Sequence, residues 1–546
     1  MSKTKFYQEV IEKAFSTAKE YLLASALSQA EKEKEELSAN LLKENAIKVP
    51  LVGGFNAGKS SLINAFINRN LLPTNIEPET AISYEMYYSQ NERVELYRDD
   101  KKIDEKPLDD IKKFDVKPGD IAKVYVSTKV IKDLQDRGII IVDMPGLDSG
   151  IQAHNDAILK YIDKGSAFVL MSESESGSLT TSAINFITEL EKYNLKPAVI
   201  ISKIDKKPAE EISSIKEYVG YQAKKAIGSE TFVGAVSAAN NDINDFSKFL
   251  DTLDCDKITA EKFAPRITAY INMLIISLKT QIDIAAQDIK DIDETIKQLE
   301  AQREQATQNI RNNNADTPEK STQDILDKVE EALSAKAEDF ATMIFNKESS
   351  ATIQNAIMST IRPVIINTLK EEGEQYAGAL NTVVDEISKK LSDTVTVDSN
   401  IFDDIYSEMG LPVIMAQISK IIMTLPAPLA KILGFLLTLL AEKLPSIIRS
   451  IFGKSDEEII SQITSKIKAS VINDMLETLR PKVLEMVTAQ QERIKAAYID
   501  NINNNINNVS QSMRYSNENQ DKEILTTKIE NIKQIISKLE SLKSEL

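Results

Sequence analysis

The segment GGFNAGKSS, which begins at Gly53, constrains the fold of this chain more than any other part of its sequence. Four residues separate Gly53 from Gly58, Lys59 and Ser60 follow, and the helix-forming stretch LINAFI comes soon after. Glycines let backbone N–H groups surround phosphates, a lysine reaches the outer phosphates, and a hydroxyl binds Mg²⁺. The spacing therefore predicts a phosphate-binding loop of Gly53, Gly58, Lys59, Ser60 and Ser61, although a glycine-rich turn before an ordinary helix has the same local pattern.

A second motif, DMPG, closes the apolar run GIIIV and begins at Asp143. If that run is a buried strand, the Asp143 carboxylate lies at its C-terminal end, where it can meet Mg²⁺ through water. The N–H of Gly146 would then lie beside the last phosphate of a nucleotide. The motif alone is only moderately specific, and its meaning depends on the loop at Gly53.

A third motif, SKID, follows the apolar run AVII and contains Lys203 and Asp205. A carboxylate at Asp205 can accept hydrogen bonds from both N1–H and the exocyclic amine of guanine, and adenine cannot offer that pair of donors. A polar turn after a strand would also explain this tetrapeptide taken by itself. In order behind the other two motifs, it indicates GTP and GDP rather than adenine nucleotides.

Short apolar runs alternate with helix-length segments from residue 48 to residue 265. Continuous apolar strands of this kind are typical of a parallel sheet that is covered on both faces. Together with the three motifs, the pattern predicts that residues 48–265 form an α/β P-loop GTPase domain. The runs that support it are GIIIV at 138–142, AFVLM at 167–171 and AVII at 198–201.

The remaining segments, 1–47 and 266–546, have the spacing of helices. Residues 5–45 are predicted as one helix, and apolar residues follow heptad spacing in 282–299 and 525–539. Loops are expected at 312–318 and at the asparagine-rich 501–519. We therefore expect an extended all-α neck and trunk bundle, or a freestanding coiled coil as the alternative, with a hydrophobic tip at 405–455.

Composition restricts the partners of this 546-residue chain, whose net charge is −17. Lysine and arginine number 66 against 83 aspartate and glutamate residues, which argues against a general nucleic-acid binder because phosphate affinity depends on basic residues. The single cysteine, Cys255, excludes an intramolecular disulfide framework. The N-terminus has no apolar stretch with a cleavage site, so we expect a cytoplasmic protein.

Residues 411–454 are the most apolar stretch, and their five basic residues and one acidic residue give a net charge of +4. Apolar character and positive charge together favour a surface of anionic lipid. Proline and charged residues interrupt the run, so we expect it to enter one leaflet rather than cross the bilayer; a hairpin buried in the bundle is the alternative. The residues expected to contact lipid are Leu429, Ile432, Leu433, Phe435, Leu436 and Leu437.

The three motifs, in this order and spacing, resemble those of the dynamin superfamily, and the bacterial dynamin-like proteins in particular. The resemblance implies that Thr80, in the sequence PETA, binds Mg²⁺ and the γ-phosphate and acts in catalysis with Lys59. It also implies that Ser237 and Ala238 contact the base. Family likeness further implies self-association through GTPase domains, a second dynamin-like chain as a partner, and a tip that attaches the protein peripherally to a membrane.

The chain departs from the family at two positions that concern hydrolysis. Phe55 stands where eukaryotic dynamins have a glutamine that positions water, and Leu147 stands where small GTPases have one, so slow hydrolysis is expected. Asn56 resembles the asparagine of potassium-activated GTPases, which implies K⁺ bound against the phosphates. The only histidine, His154, is more typical of an exposed position than of a catalytic one.

These patterns predict a GTPase that couples nucleotide turnover to membrane binding and remodelling, in vesicle traffic or toxin release. Two other functions remain open: a scaffold that binds GTP with little hydrolysis, and a partner-dependent switch whose segment 411–454 is buried or covered by another protein.

Overall fold

The computed structural model describes residues 3–44, 46–54, 56–74, 82–98, 101–117, 119–146, 161, 167–193, 195–285, 292–312, 317–348, 350–394, 456–518 and 522–546. Several residues that the sequence singles out lie outside these ranges. They are Phe55, Thr80, Leu147, His154 and the whole tip 405–455, with Leu429, Ile432, Leu433, Phe435, Leu436 and Leu437.

Nine strands of the described residues form one sheet in the order β4-β3-β5-β2-β6-β1-β7-β8-β9. Their bounds are β1 Ile47–Gly53, β2 Ser83–Tyr88, β3 Arg93–Arg98, β4 Lys101–Lys106, β5 Ile121–Val126, β6 Ile139–Asp143, β7 Val169–Glu173, β8 Ala198–Ser202 and β9 Val233–Ala235.

The last five strands in this spatial order are β6, β1, β7, β8 and β9. Each is parallel to its neighbours among these five, as their apolar sequences predict. Leu51 of β1 is paired with Asp143 of β6 on one side and with Val169 of β7 on the other. The rest of the sheet corrects the prediction of a parallel sheet, because β2 is antiparallel to β6 and β3 is antiparallel to β5. Polar residues interrupt these extra strands, so they lack the continuous apolar runs that predict a buried parallel strand.

Helices cover both faces of the sheet in this domain, which we call the head. They are α3 Lys59–Phe66, α4 Lys129–Asp136, α5 Thr181–Glu191, α6 Ala209–Ile227 and α7 Asn244–Asp251. Leu62 of α3 and Phe246 of α7 pack in one hydrophobic cluster with Leu51 of β1. Ile187 of α5 packs on the other face with Val52 of the same strand. β1 is therefore buried from both sides and provides a rigid base for the loop that follows it.

Four of the described helices share a hydrophobic core outside the head, and we call this group the neck. They are α1 Lys3–Ala18, α2 Ala24–Glu44, α8 Cys255–Ala285 and α14 Lys522–Ser544. The prediction of a single helix over 5–45 is wrong, because the helix ends at Ala18 and α2 begins at Ala24. α2 folds back along α1, so that Lys34 lies 3.1 Å from Glu12. Apolar spacing alone does not reveal such a turn, since both helices present an apolar face to the same core.

The remaining helices form a second core, which we call the trunk. They are α9 Ile292–Arg311, α10 Pro318–Phe345, α11 Ser350–Thr394, α12 Asp456–Lys466 and α13 Ile472–Glu518, with a π-helical turn at Ile467–Val471 between the last two. Thr317 caps α10 by accepting a hydrogen bond from the Lys320 N–H at 3.3 Å, in agreement with the loop predicted before Pro318. The prediction of an α/β domain joined to a long all-helical region is confirmed.

The asparagine-rich segment that was predicted as a loop is part of helix α13, which continues to Glu518. Ile502, Ile506, Val509 and Met513 recur at helical spacing, and all four are buried in the trunk core. Asparagine has a weak preference against helices that such packing readily overrides. The apolar spacing was the signal that could have identified this helix.

Among the described helices, none combines the length and apolar character required to span a bilayer.

Candidate nucleotide-binding site

The backbone between β1 and α3 has a shape that only glycine permits at two positions. A side chain at Gly53 would place its Cβ 2.5 Å from the carbonyl oxygen of Met171 on the neighbouring strand β7. Gly58, directly before α3, has a φ of +80°, in the left-handed region that L-residues rarely adopt. The loop therefore turns tightly from the strand into the first turn of α3, and N–H groups at a helix N-terminus favour an anion.

Lys59 lies within this loop and is only 5% exposed. Its Nζ donates hydrogen bonds to the carbonyl oxygens of Gly53 at 3.2 Å and Gly54 at 2.9 Å. Backbone carbonyls partly compensate a buried ammonium, but a phosphate oxygen would form a stronger, charge-assisted hydrogen bond. Lys59 is therefore held where an anion in the loop would meet it.

Ser60 and Asp143 meet where β6 ends. The Ser60 Oγ donates a hydrogen bond to Asp143 Oδ2 at 2.5 Å. Within the described part of the chain, Asp143 Oδ1 is buried and accepts no hydrogen bond. Burial raises the pKa of Asp143 to about 6, even though Lys59 and the Ser60 hydroxyl favour its charged form.

This pair of oxygens fits Mg²⁺. A hydroxyl and a carboxylate are the kind of ligands that Mg²⁺ takes, directly or through its own water molecules. A divalent cation would also remove the electrostatic cost that raises the Asp143 pKa. The buried oxygen without a partner is the observation that supports a cation here.

The loop after β8 brings Asp205 together with Ser237, which follows β9. The Ser237 Oγ donates a hydrogen bond to Asp205 Oδ1 at 2.5 Å, and Ser237 itself is buried. The backbone N–H of Asn240 donates to the same Oγ at 3.2 Å. One oxygen of Asp205 is thus fixed, while the residue remains exposed to solvent.

A cavity of about 710 Å³ lies between this loop and helix α3. Its walls include Gly58, Ser61, Lys203, Asp205 and Ala238. The structure therefore gathers predicted phosphate-binding and base-binding residues around one space.

A smaller cavity of about 270 Å³ lies beside the loop and is lined by Asn56, Glu173 and the first residues of α5. Asn56, which the sequence suggests as a potassium ligand, therefore borders this space rather than the larger one. Gly146 is buried at the end of the described segment after β6.

Two polar residues that the sequence motifs do not identify are Glu173, the last residue of β7, and Ser174, which follows it. Glu173 forms an ion pair with Lys203 at 3.0 Å, and the Ser174 Oγ donates to the Lys203 carbonyl oxygen at 2.7 Å. The signal was present, because polar residues directly after a buried parallel strand lie at the same edge as the other motifs.

Residues 49–204 match the Dynamin family, which is less than a third of the chain. An uncharacterised protein from the xynA 3′ region of a Caldicellulosiruptor species is 29% identical over 181 residues, which span 32% of this chain and 45% of the relative. The bacterial dynamin-like protein of Nostoc punctiforme is 26% identical over 149 residues, 25% of this chain and 21% of that protein. The matched segments thus cover less than half of either relative.

One solved structure, of an oligomerised bacterial dynamin pair, is 13% identical and covers 94% of this chain and 92% of its own, with a TM-score of 0.31. A TM-score this low marks a weak superposition, so the assignment rests on the sequence match. The chain carries a dynamin-family GTPase domain, and its predicted resemblance to the bacterial dynamin-like proteins is confirmed.

The raised pKa of Asp143 predicts how the free energy of unfolding depends on pH. A carboxyl whose pKa is raised in the folded state binds protons more tightly there than in the unfolded chain, so the free energy of unfolding falls as pH rises from about 4 to about 6. A shift of about 2 pKa units corresponds to about 3 kcal/mol. We expect Asp143→Asn to raise the melting temperature of nucleotide-free protein at pH 7.5 in a chelator, and to weaken Mg²⁺-dependent nucleotide binding.

Asp245→Asn is the matched control. Although burial opposes its charge, hydrogen bonds from Lys216, the Ala235 N–H and Lys248 hold the pKa of Asp245 below its usual range. That variant should melt lower at pH 7.5, the opposite direction. An Asp143→Asn protein that is destabilised as much as Asp245→Asn would contradict the assignment of Asp143 as an uncompensated metal ligand.

Proposed function

We propose that this chain is a dynamin-like GTPase that binds GTP and GDP with Mg²⁺, hydrolyses GTP slowly and couples the nucleotide state to a membrane-bound tip. The observation that carries the nucleotide part is the single edge of the sheet at which Lys59, the Ser60–Asp143 pair and Asp205 meet. The dynamin-family match supports the same function.

The phosphate end depends on the loop at Gly53. With nucleotide bound, Lys59 would exchange its hydrogen bonds to the Gly53 and Gly54 carbonyls for phosphate oxygens. Ser60 and Asp143 would hold Mg²⁺, the latter through water; the ion would supply positive charge that stabilises the charge developing on the phosphates. Thr80 and the N–H of Gly146 are proposed to sense the γ-phosphate.

The base end depends on Asp205, which would accept the N1–H and the exocyclic amine of guanine. Ser237 holds one of its oxygens, and Lys203 and Ala238 border the same cavity. A hydrogen bond to a charged acceptor contributes about 1.5–3 kcal/mol, enough to select guanine over adenine.

Hydrolysis needs a group that replaces the missing glutamine. We propose that Asn56 holds K⁺ beside the phosphates, and that heads pair to complete each other's sites. The rival function is a GTP-binding scaffold or partner-dependent switch with little hydrolysis, which the phenylalanine at position 55 favours.

The proposed domains are a GTPase domain at 48–265, helical neck and trunk segments at 1–47 and 266–546, and a membrane tip at 405–455. Neck helix α8 begins at Cys255, within the last residues of the proposed GTPase domain. A cytoplasmic protein that attaches peripherally to membrane through 411–454, with a second dynamin-like chain as partner, fits this division. A finer likeness to labile enterotoxin output protein A would connect it with vesicle or toxin release.

Turnover of GTP in K⁺ and in Na⁺, with and without anionic liposomes, tests the enzymatic proposal. We expect slow turnover that K⁺ and liposomes increase, loss of turnover in Lys59→Ala, and loss of the K⁺ effect in Asn56→Ala. If the unaltered chain binds GTP but turns it over no faster than Lys59→Ala under any of these conditions, the scaffold function is favoured. Equal rates in the two salts would refute the K⁺ site alone.

A change at Asp205 tests the base assignment. Xanthine carries an oxygen in place of the guanine amine, so an amide at this position can donate to that oxygen and still accept N1–H. We expect Asp205→Asn to lower GDP affinity by about 10-fold to 100-fold, the value of one lost charge-assisted hydrogen bond, and to raise affinity for xanthosine diphosphate. Isothermal titration measures both affinities.

Asp242→Asn is the control for this change. Asp242 is near Ser237 in the same turn, but its side chain accepts a hydrogen bond from Asn244 and does not border the cavity. Equal affinity of Asp205→Asn and the control for GDP would remove Asp205 from the site.

Liposome pelleting tests the tip. Aspartate at Leu433 and Leu437 adds charges that resist transfer into lipid, so the double variant should stop pelleting with anionic liposomes while its GDP affinity is unchanged. Tyr221→Asp, at an exposed position of α6, is the matched control. Undiminished pelleting of the double variant would show that another surface binds the membrane.

A further inference from the structure

Lys203 has an unusual backbone conformation for its residue type. Its φ is +57°, in the left-handed region, where a side chain other than glycine, asparagine or aspartate is disfavoured by contact with the backbone. Such a conformation persists when surrounding contacts determine it. The contacts of Lys203 therefore decide how the base-binding loop leaves β8.

Two of these contacts come from the end of β7 and the turn that follows it. Ser174 is fully buried, and its Oγ donates to the Lys203 carbonyl oxygen at 2.7 Å. Glu173 pairs with the Lys203 ammonium at 3.0 Å, and both side chains are about a quarter exposed. One residue thus holds the backbone of Lys203 and its neighbour in sequence holds the side chain.

A third contact joins the same two loops, because Glu175 lies 2.7 Å from Lys206. Both of these side chains are about half exposed, so their ion pair is screened by solvent and contributes little. Ser174 and Glu173 carry most of the connection.

These contacts affect nucleotide binding because Lys203 lies at the proposed nucleotide site. Lys203 and Asp205 line the larger cavity, whereas Glu173 lines the smaller cavity beside the phosphate loop. The Lys203 side chain therefore lies along the boundary between the two spaces. Since Asp205 is two residues further on, the backbone direction at Lys203 acts together with the hydrogen bond from Ser237 to set where the Asp205 carboxylate points.

We propose that Ser174 and Glu173 are positioning residues that set the guanine specificity of this site, by fixing the conformation of Lys203 and with it the direction of Asp205. The proposal rests on the guanine site proposed above. Neither residue needs to touch the nucleotide, because the hydroxyl acts on the Lys203 carbonyl and the carboxylate acts on the Lys203 ammonium.

The ordinary alternative is that both residues only stabilise the head. The ratio of the affinities for GDP and inosine diphosphate separates the two roles. Inosine lacks only the exocyclic amine, which would donate a hydrogen bond to Asp205. A loss of fold stability lowers the melting temperature and leaves the ratio of the two affinities unchanged. A misdirected Asp205 lowers that ratio.

The experiment measures both affinities by isothermal titration, and the melting temperature, for the full chain and three variants. The variants are Ser174→Ala, Glu173→Gln and the control Ser178→Ala, whose hydroxyl donates to the Ser176 carbonyl oxygen in the same loop. We expect the unaltered chain and the control to favour GDP by about tenfold or more, equal to one hydrogen bond to a charged acceptor. Ser174→Ala should reduce this preference about fivefold, and Glu173→Gln by a smaller factor.

An unchanged affinity ratio in Ser174→Ala overturns the proposal, whatever the melting temperature does. If Ser174→Ala does not fold, Glu173→Gln decides, and an unchanged ratio there overturns it. A full chain that binds neither nucleotide would instead refute the proposed guanine site itself.

Discussion

The parallel pairing of β1 with β6 and β7 is the constraint on which the rest of the head depends. Leu51 is in register with Asp143 on one side and Val169 on the other, and both faces of β1 are buried. Parallel strands all leave the sheet at the same edge, so the chain is forced to place its loops there together. The close approach of Gly53 to the Met171 carbonyl follows directly, since a larger residue would push β1 away from β7.

Two buried carboxylates in this domain differ in how their charge is compensated, and the difference separates a structural role from a functional one. Burial alone would raise the pKa of Glu85, but the Lys48 ammonium and hydrogen bonds from Tyr87 and Tyr161 hold it below its usual range. Among the described residues, Asp143 accepts a side-chain hydrogen bond from Ser60 alone, and burial raises its pKa to about 6. A folded chain gains nothing from an incompletely compensated charge unless a ligand completes it.

The fold could be predicted where a motif follows an apolar strand, because parallel strands all end at the same edge of the sheet. Gly53 and Asp143 end apolar strands and Lys59 begins the helix after β1, so one rule about parallel sheets predicts that they lie together. The contact of Ser174 with Lys203 could not be predicted, because it requires knowing that β7 and β8 are neighbours. The turn at 19–23 and the helical course of 501–518 were missed for a different reason, since in both places packing against a shared core outweighs local preference.

A buried ion pair joins the head to the trunk, and it sets the orientation of helix α5 on α11 more than it stabilises the fold. Arg362 of α11 donates a hydrogen bond to Glu189 of α5 at 2.6 Å, and both side chains are almost completely buried. Burial raises the pKa of Glu189 in spite of the Arg362 charge, which means that desolvation offsets much of the attraction. Removing one partner would still be costly, so the pair holds α5 in one orientation on α11. Since the first residues of α5 border the smaller cavity, that one helix connects the nucleotide edge of the sheet with the trunk.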